Sequence, residues 1–73
     1  MDTDLTPSQI VTTHINDSKK DTNDKICLIL GVIMACHGQE NHEELTKIKN
    51  IINVSTMANK DKIIGHINML LST

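Results

Sequence analysis

The hydropathy pattern is dominated by one block, ICLILGVIMAC, residues 26–36, eleven apolar or glycine positions with no charged or amide side chain among them. The segments around it are patterned differently. In LTPSQI, residues 5–10, Thr6 is placed to cap a helix, Pro7 takes its first position and Gln9 its third. That is a capping box with proline at N1. Leu5 and Ile10 stand at the two ends of a hydrophobic staple. These signals predict a helix from about Pro7 to Asn16, with Ile10, Val11, His14 and Ile15 on its apolar stripe. NDSKKDTND, residues 16–24, is charged and rich in turn formers, and reads as a polar linker. Asn23 or Asp24 then caps a helix over about 25–37, which Gly38 ends from the C′ position.

NHEEL, residues 41–45, is a second capping box, with Asn41 as cap and Glu44 answering at N3. Leu45, Ile48, Ile51 and Ile52 follow at helical spacing. NVST, residues 53–56, breaks the pattern. The last helix is predicted from about Met57 to Leu71, capped by Ser55 or Thr56, with Ile63, Ile64, Ile67, Leu70 and Leu71 on one face. No alternating segment long enough for a strand occurs, and there is no internal repeat. The pattern therefore predicts an all-α fold, a small helical bundle of three to four helices. It reads as one domain over residues 1–73, frayed at 1–5 and linked by 16–24.

The apolar block has three readings. Crossing a bilayer takes about 20 apolar residues for roughly 30 Å. Eleven residues rise only about 16 Å, so no membrane span is expected. IMAC, residues 33–36, resembles the lipobox of bacterial lipoprotein signals, but Met34 fits it poorly and a well-formed helix start precedes it. The third reading is a central helix buried on every side. Three further helices, one of them short, leave part of such a helix uncovered, and a second copy of the chain would cover it. Cys27, Gly31 and Ala35, spaced by four, place three small residues on one stripe, which permits close backbone approach. They are the expected oligomer interface, against the alternative that another helix of the same chain packs there.

Composition strengthens the case for self-association. A chain of 73 residues without Phe, Tyr or Trp, eleven of whose residues are isoleucine, builds only a marginal core. Net charge of −2 argues against nucleic acid as a partner, since phosphate binding calls for a basic stripe. Lys47, Lys49, Lys60 and Lys62 are diluted by Glu43, Glu44 and Asp61 and read as a solvated face. Cys27 and Cys36 lie on opposite faces of one helix and cannot bridge each other, and two free buried thiols suit a reducing compartment, the cytoplasm.

Candidate chemistry adds little. Cys36, His37 and His42 have spacing that matches no zinc pattern, while His14 and His66 sit beside apolar stripes, so neither metal nor other cofactor is expected. Adjacent Cys36 and His37 do not orient as nucleophile and base, and no phosphate-binding loop is present. No enzyme is expected. IKNIINVSTMANKDKII, residues 48–64, resembles a DNA-binding helix-turn-helix, with INVSTM as the turn. It departs from that pattern at Lys49, Asn59 and Lys62. The resemblance implies, as the alternative function, a DNA-binding regulator using residues 45–70.

The leading expectation is a non-enzymatic protein–protein interaction module, a small regulator, adaptor or inhibitor. Its expected partners are itself, as a homodimer or higher oligomer, and a further protein. Small size and biased Ile, Asn and Lys usage would suit a virus, phage or mobile element.

Overall fold

The computed structural model describes residues 5–72. Four helices fill these residues: α1 (Pro7–Ile15), α2 (Thr22–Gly38), α3 (His42–Val54) and α4 (Lys60–Leu71). No strand occurs among the described residues, and the fold is an all-α small helical bundle. α3 touches each of the other helices, whereas α1 and α4 do not meet, and α4 meets α2 only slightly. One core joins the four. Val11 from α1, Ile29, Ile33 and Cys36 from α2, Leu45, Ile48 and Ile52 from α3, and Ile63, Ile67 and Leu70 from α4 are all buried in it.

α1 starts as its sequence dictates. The Gln9 amide donates to Thr6 Oγ1 at 3.3 Å, and the Thr6 amide donates to Gln9 Oε1 at 2.9 Å. Thr6→Ala removes one half of this exchange and should lower stability by about 0.5–2 kcal/mol, read from urea unfolding. An unchanged midpoint would mean that α1 does not hold the rest of the bundle together.

The other boundaries differ from expectation for local reasons. α2 starts at Thr22 rather than near Lys25, because Asp21 is its cap and accepts from the Asp24 amide at 2.8 Å. The linker is correspondingly shorter than 16–24. Gly38 is the last residue of α2, not its C′ residue; that left-handed position belongs to Glu40, φ 56°. The Asn41 amide donates to the Cys36 carbonyl and the Glu40 amide to that of His37, which is a Schellman closure. α4 begins at Lys60, three residues after Met57, behind a left-handed Asn59 that makes no side-chain cap. Ser55 instead bonds locally, donating to the Ile52 carbonyl at 2.6 Å.

Charged groups hold the helix ends. The Ser8 amide, in the first turn of α1, donates to Glu44 Oε1 of α3 at 2.9 Å. Lys25 of α2 donates to the Ile15 carbonyl at the other end of α1, 2.9 Å away. Lys60 donates to the Asn53 and Ser55 carbonyls, where α3 ends, at 3.0 and 3.1 Å. Anions at N-termini and cations at C-termini complement the helix dipole and satisfy orphan backbone groups.

A candidate interaction surface on the second helix

α2 is apolar nearly all round but is not buried all round. Ile29, Ile33 and Cys36 point into the core. Cys27, Leu28, Gly31, Met34 and Ala35 are exposed, Leu28 by 39 % and Met34 by 55 %. The expectation that the chain's own helices leave part of this helix uncovered is thus met, whereas Cys27, expected to be buried, is exposed because it lies on the uncovered face. α1 and α3 cover one flank, α4 reaches it only slightly, and no further element exists among the described residues to close the remainder.

The three residues of the small stripe do share one outward face. Among the described residues nothing lies within 4 Å of a Cβ built on Gly31, so none of the other three helices packs there. The intrachain alternative for the stripe falls on that observation. No charged side chain interrupts this face between Ile26 and Cys36.

A second feature adjoins it. Ile26, Leu30 and Met34 of α2 form one wall of an open groove of about 530 Å³. Asn59, Lys62, Ile63 and His66, all but Asn59 on α4, form the other. The signal for this groove was available in the same block, since Ile26, Leu30 and Met34 are also spaced by four. What the spacing does not reveal is that α4 stands off from them.

The candidate chemical groups are scattered. Cys36 is buried, and loss of hydration, followed by the nearby Glu44 charge, pushes its thiol above the ordinary value. A thiol held protonated is a poor nucleophile and a poor metal ligand. His37 buries its Nδ1 without a hydrogen-bond partner among the described residues. No three His, Cys, Asp or Glu side chains among those residues are grouped to hold a metal ion. None of the described helices is long and apolar enough to cross a membrane.

The lysine cluster is partly spent within the fold. Lys47 pairs with Glu44 at 3.3 Å and Lys60 is tied to backbone carbonyls, which leaves Lys49 and Lys62. In the segment resembling a helix-turn-helix, Asn53 and Val54 still belong to α3, and Ser55–Asn59 separate the two helices. The chain matches no protein-family model, no curated protein and no solved structure.

Proposed function

We propose that this protein is a non-enzymatic interaction module that acts as a homo-oligomer, with the outer face of α2 as its contact with a second copy. Its role would be that of a small regulator, adaptor or inhibitor. Free thiols at Cys27 and Cys36 suit work in the cytoplasm.

One observation carries the reading: an uncharged, exposed helix face whose pattern repeats when read backwards. Gly31 lies near the middle of α2. Cys27 and Ala35 are small and stand four residues either side of it; Leu28 and Met34 are large and stand three either side. Two copies laid antiparallel about Gly31 therefore bring small against small and large against large. An isologous dimer requires that kind of self-complementary patch. The antiparallel arrangement also sets the N-terminal end of one helix dipole beside the C-terminal end of the other. A helix of 17 residues is only about 25 Å long. Its contact falls short of the roughly 1,600 Å² of a standard interface, so the association is weak and reversible.

Glycine substitutions test this directly. Gly31 and Gly65 both lie in helices with open space where a Cβ would go. In the isolated chain, replacing either by alanine should stabilise by about 1 kcal/mol. Gly31→Leu gains similar helix propensity but fills the approach between copies. Overpacking of about 1–3 kcal/mol corresponds to roughly a 5- to 150-fold weaker dimer. Sedimentation equilibrium should show wild type and Gly65→Ala associating alike and Gly31→Leu shifted to monomer. A wild-type chain that stays monomeric at high micromolar concentration would rule the proposal out.

A further inference from the structure

The groove between α2 and α4 differs from the α2 face in one respect that identifies its occupant: its charge is one-sided. The α2 wall, Ile26, Leu30 and Met34, is wholly apolar, and the α4 wall carries Lys62 and His66 one helical turn apart. Lys62 is exposed, His66 is half-buried, and no carboxylate lines the groove. Neither of the ion pairs among the described residues involves Lys62. Among the described residues the Lys62 charge therefore has no ion-pair partner.

The dimensions narrow the choice further. Ile26 and Met34 are eight positions apart on the helix, about 12 Å along the axis. A guest helix anchored at i, i+4 and i+7 covers roughly 10.5 Å. The groove is open along its length, which favours a ridge of side chains over an enclosed small molecule.

We infer that this groove binds an amphipathic helix of a partner protein, one with an apolar ridge at i, i+4 and i+7 and acidic side chains on the single flank that faces Lys62 and His66. This rests on the reading of the chain as an interaction module but not on its self-association. The α2 ridge seats the apolar anchors, and the Lys62 charge on α4 fixes the guest's orientation, because reversing the guest would present its uncharged flank to Lys62. Electrostatic matching of this kind sets specificity and salt dependence more than bare affinity.

The test is a displayed library of helical peptides with a fixed leucine ridge and flanks randomised among Glu, Lys and Gln, selected on the purified wild-type protein. Binders should be enriched in Glu on one flank only, and their affinity should fall with added salt. Lys62→Glu and Met34→Ser alter exposed positions and should leave the helical circular dichroism intact. Lys62→Glu should weaken the acidic peptides at least tenfold and favour the Lys-flanked ones; Met34→Ser should weaken both. No binders, binders without charge preference, or acidic binders indifferent to both variants would each overturn the assignment. Loss of self-association in Lys62→Glu would show that a second copy occupies the groove, which overturns it as well. Peptide binding that survives Gly31→Leu separates this inference from the dimer proposal, since Gly31→Leu then tests the dimer alone and Lys62→Glu the groove alone, Met34 being common to both.

Discussion

Cutting Ile48 back to alanine is expected to remove most of this protein's stability. Ile48 is fully buried on α3, the helix that packs substantially against every other. Truncation there loses the transfer energy of the removed carbons and opens a cavity in the core that joins the four helices. Such changes cost about 2–5 kcal/mol. A chain of 73 residues has roughly 4–11 kcal/mol to lose, and without aromatic side chains the lower end applies. The thermal midpoint should fall by about 8–40 °C. Val54→Ala makes the control. Val54 is on the same helix but 81 % exposed, so its removal should change stability by no more than about 0.5 kcal/mol. Similar melting of the two variants would show that the helices do not converge on Ile48.

The second large effect belongs to Glu44 and depends on pH. Glu44 is buried as a residue, and its carboxylate accepts from the Ser8 amide and pairs with Lys47. The Ser8 hydrogen bond favours the charged form and holds the carboxyl below its ordinary 4.5, against the opposing pull of burial. A depressed folded-state value means that the stabilisation is complete above pH 4.5 and is lost as the pH falls through the lowered value. Glu44→Ala leaves the Ser8 amide without its acceptor and should cost about 1–3 kcal/mol at neutral pH. Urea midpoints measured at pH 6 and pH 3 should therefore differ more for wild type than for Glu44→Ala. Equal acid sensitivity in both proteins would remove Glu44 from the account.

What could be read in the sequence was mostly chemistry confined to four or five neighbouring residues. Thr6, Pro7 and Gln9 specify the start of α1 among themselves, and Asn41 caps α3 as its position indicates. Glu44 was legible only in part. Its spacing from Asn41 reads as the answering half of a capping box, but the Asn41 amide is already taken by the Cys36 carbonyl. The carboxylate is left for Ser8, a partner that no local pattern names. α4 shows the same limit, since Ser55 and Thr56 have cap chemistry while the entry is made by the backbone of Asn59. The apolar block is legible only in part, for a different reason. Composition tells what a helix face would tolerate, whereas burial depends on how many neighbours the chain supplies. The small stripe was visible because it lies on one helix; the groove was not, because half of it comes from α4.

The bond between Ser8 and Glu44 joins positions 36 residues apart, and that separation has a consequence in time. Translation adds about 5–20 residues per second, so roughly 2–7 s pass between the making of Ser8 and the making of Glu44. A helix as short as the nine residues of α1 does not persist alone in water. Val11 meanwhile has only the α2 part of its core to meet, because Ile48 and Ile52 of α3 are not yet made. The first turn of α1 is thus made well before the carboxylate that fastens it, and in the nascent chain that end stays loose until α3 has followed.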